Sequence, residues 1–352
     1  MIDRIHGGNC LKRNIIDFSV NTNPLGLPKG LPDIISKNTD CVLRYPDPSS
    51  ERLKRKLAAL HAVGPRNIVI GNGSIELIYL VPRALKIKKA LIITPTFSEY
   101  EFAIKSNGSM PTFFSTSEED GFKIDCGKLA ERLPRCDALF LCNPNNPTGS
   151  MLYSDDVLYL SRLCRKHKSL LILDEAFIEF TEQTKSAAII SEAVKSRSLV
   201  ILRSLTKFFA IPGLRLGYVI GHKNMIDKIV KLQYPWNVNG PAQLAGEKVL
   251  ADKGYIDRTR LFVANERQYM FERLSSIKGL KAYQPSANFI LCKLQDAPIH
   301  SSIELARRLL LKGIYIRACG NFRGLSNRFF RVSVKKRADN DRLINSIENV
   351  LR

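Results

Sequence analysis

The chain is 352 residues long, enough for one large domain or two packed ones, and its 45% hydrophobic, 25% charged and 8% aromatic residues fit a globular protein, not a disordered or collagen-like one. With 54 Lys and Arg against 33 Asp and Glu the net charge is +21, which suits nucleic acid, an acidic surface or a phosphorylated substrate without choosing among them. No apolar run reaches the roughly 18 residues of a membrane span, and the segment from Met1 to Gly8 lacks the basic and apolar regions of a signal peptide, so no membrane partner is expected and the cytoplasm is the expected location.

The basic residues are scattered, as in Arg52, Lys54, Arg55 and Lys56 or Lys335, Lys336 and Arg337, and no nucleic-acid-binding motif accompanies them, so a solvated surface is the simpler reading and no nucleic-acid partner is expected. The eight cysteines (Cys10, Cys41, Cys126, Cys136, Cys142, Cys164, Cys292, Cys319) never fall in a C-x-x-C spacing; they read as buried free thiols in a reducing compartment, and no metal is expected.

In chain order, the first 40 or so residues, rich in Asn and Pro, read as an arm. Ser49-Ser50-Glu51 opens a helix with apolar Leu53, Leu57 and Leu60, and Ser154-Asp155-Asp156 opens another that reaches Lys166. Short apolar runs bounded by turn residues cover 67–71, 90–94, 137–142, 170–173, 199–203 and 217–221, with helical stretches among them. This rhythm predicts an α/β fold, a mostly parallel sheet sandwiched by helices. After about residue 235 the rhythm changes. A long helix near Tyr255 to Ser276 leads to runs at 288–294, 313–317 and 329–334, a helix carries Leu305, Leu309 and Leu310, and Asp339 to Leu351 closes the chain: a smaller α+β domain. The expected division is an arm over 1–40, a large domain over 41–235 and a small C-terminal domain over 236–352. No internal repeat is present.

Ligands of open α/β sheets bind beyond the carboxyl ends of the strands. The residues that follow the runs are polar: Gly71-Asn72-Gly73-Ser74-Ile75-Glu76, Thr94-Pro95-Thr96-Phe97, Asn143-Pro144-Asn145-Asn146-Pro147-Thr148-Gly149, Asp174-Glu175 and Ser204-Leu205-Thr206-Lys207. Gly73-Ser74-Ile75 at a helix start can offer N–H groups and a hydroxyl to a phosphate. Asp174 at a buried strand end wants a cationic partner. Lys207, trailed by Phe208, Phe209, Ala210 and Ile211, sits where burial depresses an amine pKa and favours imine chemistry. Alone, each is an ordinary turn, helix cap or surface lysine; their conjunction is not.

These segments, with Gly213-Leu214-Arg215-Leu216-Gly217, resemble in order and spacing the fold type I pyridoxal-phosphate enzymes of the aspartate aminotransferase superfamily, over nearly the whole chain. The resemblance implies pyridoxal 5′-phosphate as cofactor, with Lys207 bonded to its aldehyde, Asp174 on the pyridine nitrogen and Asn146 on the phenolic oxygen. Phe97 would stack on the ring, and Gly73, Ser74, Ile75, Ser204 and Arg215 would hold the phosphate. Tyr45 would reach the cofactor phosphate of a neighbouring subunit, so a homodimer is implied. Arg331 resembles the arginine that clamps a substrate α-carboxylate; its planar fork matches a carboxylate bidentately. Phe177 stands where many relatives carry a tyrosine.

Two branches resemble the chain most: histidinol-phosphate aminotransferases, and the threonine-phosphate decarboxylases of cobalamin biosynthesis. His6-Gly7-Gly8-Asn9, Ile16 to Gly26, Phe177 and Ile316 to Leu325 favour the second, which forms 1-amino-2-propanol phosphate. This resemblance implies that His6, Gly7 and Arg317 hold a substrate phosphate while Arg331, Asn23 and Asn146 position the rest; Arg323 reads as a rim charge. A phosphoserine substrate, giving ethanolamine phosphate, differs by one methyl, worth about 1–3 kcal/mol of discrimination. A non-catalytic module that binds nucleic acid through its basic surface is the remote alternative.

Overall fold

In the computed structural model, residues 7–8, 14–181 and 186–352 are described. The strands, in chain order, are β1 (Ile16–Asp17), β2 (Ile68–Asn72), β3 (Lys89–Thr94), β4 (Met110–Ser115), β5 (Ala138–Cys142), β6 (Leu170–Asp174), β7 (Leu199–Ser204), β8 (Leu216–Gly221), β9 (Leu280–Ala282), β10 (Phe289–Leu294), β11 (Ile314–Tyr315), β12 (Arg317–Ala318) and β13 (Phe329–Ser333). Seven of them form one sheet in the order β2-β8-β7-β6-β5-β3-β4. All its pairings are parallel except the two made by β8.

The apolar runs are continuous because both faces of this sheet are covered. Alternate residues enter different cores: Leu139, Leu141, Leu171, Leu173 and Ile201 face one layer of helices, and Phe140, Ile172, Val200 and Leu202 face the other. Leu53 and Leu57 of the helix Glu51–His61 join the first core, whereas Leu60, in the helix's last turn at the margin of the buried face, is exposed. The helix Ser154–Lys166 forms as expected.

Three strands are absent from the sequence expectation: β1, two residues within the arm, β4 and β9. β4 is an edge strand, paired only with β3, so its residues are half-exposed and no apolar run marks it; Pro111 within it is tolerated at an edge. β9 is three residues long and likewise at an edge.

β12, β13, β10 and β9 make a four-stranded antiparallel sheet. The helices Ser302–Leu311 and Arg337–Leu351 pack on it through Leu305, Leu309, Leu343 and Ile347. The 23-residue helix Lys253–Ser275 serves both cores, with Tyr255 and Val263 in that of the large sheet and Met270 and Leu274 in that of the small one. The arm is tied down by β1, which pairs in parallel with β11 (Ile16 opposite Ile314), and by Phe18, fully buried in the small sheet's core. Among the described residues no helix is long and apolar enough to cross a membrane.

The seven described cysteines are free; Cys142, Cys164, Cys292 and Cys319 are buried, but Cys41, Cys126 and Cys136 are only half-buried, Cys126 and Cys136 at the margin of the first core. Cys10 is outside the described residues.

Candidate active site

The carboxyl ends of β2, β3, β5, β6 and β7 share one edge of the large sheet, and β8, running the other way, brings its amino end there. Beyond that edge lies a cavity of about 530 Å3 whose lining includes Ser74, Ile75, Phe97, Asn146, Asp174, Ser204, Lys207, Arg215, Arg317 and Arg331. Six strand-end segments scattered over the sequence thus meet in one pocket.

Lys207 follows β7 and the hydroxyl pair Ser204 and Thr206, whose oxygens are 2.7 Å apart. Its Nζ donates to Thr206 Oγ1 at 3.2 Å. Burial, helped by the positive charges of Arg215 and Arg331 and opposed by Asp174, lowers its pKa to about 8. Asp174 ends β6 with its carboxylate fully enclosed; burial raises its pKa, against the pull of Tyr100, the Ala176 N–H and Lys207. Tyr100 donates to Asp174 Oδ2 at 2.7 Å, and Ala176 N–H to Oδ1 at 2.9 Å.

An anion cradle stands at the start of the helix Gly73–Ala84. Gly73 has φ +76°, and a Cβ there would meet Arg215 Nη2 at 2.5 Å. Gly217 lets β8 pass so close that a Cβ would meet Ser74 N at 2.4 Å. Arg215 itself holds a left-handed backbone, φ +59°, unusual for a residue with a side chain, and its Nη1 donates to Pro212 O at 3.0 Å. Glycines and a strained arginine converge on one helix N-terminus, which leaves N–H groups, the Ser74 hydroxyl and a guanidinium around one small space.

Opposite this cradle stand two arginines from the small sheet. Arg317 of β12 and Arg331 of β13 are directly opposed in register, and both are buried, at 7% and 6% exposure. Arg331 donates from Nη1 to Asn146 Oδ1 and from Nη2 to Ser19 O at 2.8 Å, while its buried Nε has no hydrogen-bond partner. Burial above all, then the charge of Arg317, pulls its pKa down to about 10. Arg317 donates to Ala318 O and to Asn321 Oδ1, and its guanidinium lies 5.1 Å from the Phe322 ring centre. Like charges opposed across strands repel. Neither guanidinium has a carboxylate among its hydrogen-bond partners given above, so two buried positive charges face one another on this wall.

Asn23 does not line this cavity, contrary to the sequence expectation. Its Nδ2 is directed at Phe208 O, Tyr255 Oη and Thr259 Oγ1, all within 2.8 Å, and its Oδ1 accepts from Leu25 N–H. Asn21, two residues earlier, does line the cavity, with its buried Oδ1 unpartnered. Gly7 also lines the cavity, close against the arm's own turn, where a Cβ would meet Ser19 O at 2.3 Å. His6 lies outside the described residues. Tyr45 is not in the cavity; its 81% exposed ring lies 4.6 Å from that of Trp236. Phe177 lines the cavity and meets Phe289 edge-on at 5.0 Å. Arg323 is outside it, bonded to Glu101. Ser19, Tyr100, Thr206 and Phe322 line the pocket without having been singled out; Tyr100, between Glu99 and Glu101, sits inside the helix Glu99–Ser106 and not in the strand-end turn that drew attention to Phe97.

The aminotransferase class I and II family model matches residues 13–347. The chain belongs to this family. It is 41% identical to a provisionally named threonine-phosphate decarboxylase of Caldanaerobacter subterraneus subsp. tengcongensis, covering 98% of this chain and 93% of the relative. It is 36% identical to the threonine-phosphate decarboxylase of Salmonella typhimurium, covering 100% and 98% of the two chains. Among solved structures, the histidinol-phosphate aminotransferase of Clostridium acetobutylicum superposes with a TM-score of 0.87 at 34% identity, over 95% of this chain and 98% of that one. The fold is therefore the fold type I aminotransferase fold, and the protein is an enzyme dependent on pyridoxal 5′-phosphate.

The residues present fit that cofactor. A buried, pKa-lowered amine suits imine formation. An enclosed carboxylate suits a protonated ring nitrogen. The Gly73 and Gly217 cradle, which a Cβ would fill, suits a phosphate.

Proposed function

We propose that this family member decarboxylates O-phospho-L-threonine to 1-amino-2-propanol phosphate, the reaction that cobalamin assembly requires. The observation that carries this reading is the opposed pair Arg317 and Arg331, two buried cations on one wall of the Lys207 cavity. A phosphorylated amino acid brings two separate anions, a carboxylate and a phosphate, to match them. The names of the two relatives at 41% and 36% identity support the same substrate.

In this reading Lys207 bonds the cofactor, Asp174 holds the proton on its ring nitrogen and Asn146 binds its phenolic oxygen. Phe97 covers the ring, while Gly73, Ser74, Ile75, Ser204 and Arg215 hold the phosphate. When bound, the cofactor supplies an electron sink that stabilises negative charge at the substrate Cα. The chain decides which Cα bond breaks. Arg331 and Asn21 would hold the carboxylate while Arg317, with the Gly7 backbone, would fix the far phosphate, and these two grips together would set which Cα bond is presented for cleavage. Lys207 Nζ would be the group that holds a proton near Cα and gives it to Cα after CO2 has left, the electron pair of the broken C–C bond taking that proton. Phe177 and Phe322 keep the surroundings apolar. Two copies associate, and Tyr45, exposed beside Trp236, completes the partner's cofactor site.

A second reading is favoured by the TM-score of 0.87 to a histidinol-phosphate aminotransferase. One experiment separates the two. The purified protein with pyridoxal phosphate is given O-phospho-L-threonine, O-phospho-L-serine, or histidinol phosphate with 2-oxoglutarate, and CO2, amine and glutamate are followed by mass spectrometry. CO2 and aminopropanol phosphate are expected; glutamate formed only with histidinol phosphate overturns the proposal.

A further inference from the structure

Beyond the cavity, two sets of ion pairs join the small sheet's segments to the chain around the large sheet: Glu118, just after β4, with Lys293 and Lys281, and Glu101 with Arg323, which lies next to the cavity wall. The loop after β12 runs Cys319-Gly320-Asn321-Phe322-Arg323-Gly324-Leu325. Its Arg323 donates to both oxygens of Glu101, from Nη2 at 3.2 and 3.1 Å and from Nε at 3.3 Å. Glu101 lies on the helix Glu99–Ser106, which follows β3 and the Phe97 segment, and its side chain is only 7% exposed. The guanidinium also sits 3.9 Å from the ring centre of Phe113 on β4. Gly324 rests on Pro95, where a Cβ would meet Pro95 Cδ at 3.7 Å. A bidentate pair with one buried partner and an aromatic face behind it is unlike an ordinary exposed salt bridge.

The same loop serves the cavity from its other side. Asn321 Oδ1 accepts from Arg317 Nη2 at 2.8 Å, and Phe322 lies against the Arg317 guanidinium and lines the pocket. Three successive residues therefore link the two: Asn321 and Phe322 hold Arg317, and Arg323 pins the loop to Glu101.

We propose that Glu101 and Arg323 are a positioning pair: their contact across the two sheets fixes the 319–325 loop so that Arg317 is aimed at the substrate phosphate. The pair touches no reacting atom. It acts by removing the loop freedom that substrate binding would otherwise have to quench, and it rests on the reading of Arg317 as the phosphate ligand. Lys105 also bonds Glu101 Oε1, at 2.6 Å, but from the same helix, so it holds the carboxylate without bridging the sheets.

The holoenzyme is titrated with O-phospho-L-threonine and with L-threonine, by steady-state rate and by the cofactor's absorbance, for wild type, Arg323→Ala, Glu101→Gln, the double variant and Lys105→Ala. Amide hydrogen exchange over 319–325 is measured on each without substrate. Arg323→Ala is expected to raise KM for the phosphorylated substrate about tenfold, with kcat nearly unchanged, as loss of a coupled neighbour implies. Binding of L-threonine should not change, loop exchange should speed up, the double variant should be no worse than the single, and Lys105→Ala should behave as wild type. Additive losses, a fall in kcat with KM unchanged, or unchanged loop exchange overturns the pair. Wild type that binds both ligands equally overturns the substrate reading instead, while the exchange data still judge the pair.

Discussion

Tyr100 donates its hydroxyl hydrogen to Asp174 Oδ2 at 2.7 Å, from a helix on the face of the sheet beside the cavity. The tyrosine is itself enclosed, stacked on Phe140 at 5.2 Å and edge-on to Phe97 at 5.7 Å. It thus serves the carboxylate and buttresses the aromatic residue next to it. Burial pushes the Asp174 pKa up, and the Tyr100 hydrogen bond is the largest influence against that rise.

Tyr100→Phe keeps the ring contacts and removes only the hydroxyl. Asp174 then moves further up, because the largest influence holding it down is gone. The acid limb of the kcat profile should shift to higher pH. A pH-rate profile checks this; an unmoved acid limb would show that Asp174 does not depend on this partner.

Lys207→Ala should abolish cofactor attachment and lower turnover by about a thousandfold or more. In wild type the neutral amine is the attacking form, and its pKa of about 8 sets the pH dependence. Uptake of pyridoxal phosphate by the apoprotein should rise about tenfold per pH unit up to that value and then level off. The sign for stability follows. Between about 8 and the ordinary 10.5 the unfolded chain holds the lysine proton and the folded one does not, so the apoprotein gains stability from this group as pH rises through that window. Stopped-flow absorbance and apoprotein melting against pH test the two halves separately.

The two arm asparagines should part company. Asn21→Ala removes an unpartnered oxygen from the cavity and should raise substrate KM with little change in Tm. Asn23→Ala removes the donor shared by Phe208 O, Tyr255 and Thr259 and the acceptor of the Leu25 N–H, and should cost about 1–3 kcal/mol of stability. Thermal melts alongside KM measurements decide; the reverse pattern would return Asn23 to the substrate.

Gly217→Ala places a methyl carbon where Ser74 N stands 2.4 Å away and Arg203 O 2.9 Å away. β8 or the helix start must shift, so cofactor affinity should fall at least about tenfold, since sites are built to tolerances of roughly 0.5 Å. Equilibrium dialysis of pyridoxal phosphate measures it. Affinity equal to wild type would mean that the cradle tolerates displacement.

The continuous buried strands were legible in the sequence because covering both faces of a sheet leaves no polar residue in them; Leu170 to Leu173 is the plainest example. Edge strand β4 was not, since half-exposed residues and Pro111 look like loop. The candidate site was legible wherever polar residues follow a buried run, as at Asp174 and Lys207. It was illegible where a residue enters from elsewhere: Tyr100 from a helix flank, Ser19 through its backbone oxygen, which carries no side-chain signature. The difference between Asn21 and Asn23 turns on long-range partners, since Asn23 is taken up by Phe208 O, Tyr255 and Thr259 far along the chain, and nothing local to the arm signals that.

The arm's strand β1 pairs with β11, so Ile16 meets Ile314 nearly 300 residues further along the chain. Synthesis runs from the amino end, and this contact has no partner until most of the chain has emerged. Ser19, which accepts from Arg331, and Asn21, which lines the cavity, lie just after that strand. The large sheet, whose last strand ends at Gly221, is formed from chain made much earlier. Maturation therefore has a built-in order: the cofactor cradle can assemble on a nascent chain, and the wall that receives substrate is finished last. A chain cut short after the large sheet would keep the lysine and lose the means to choose what reaches it.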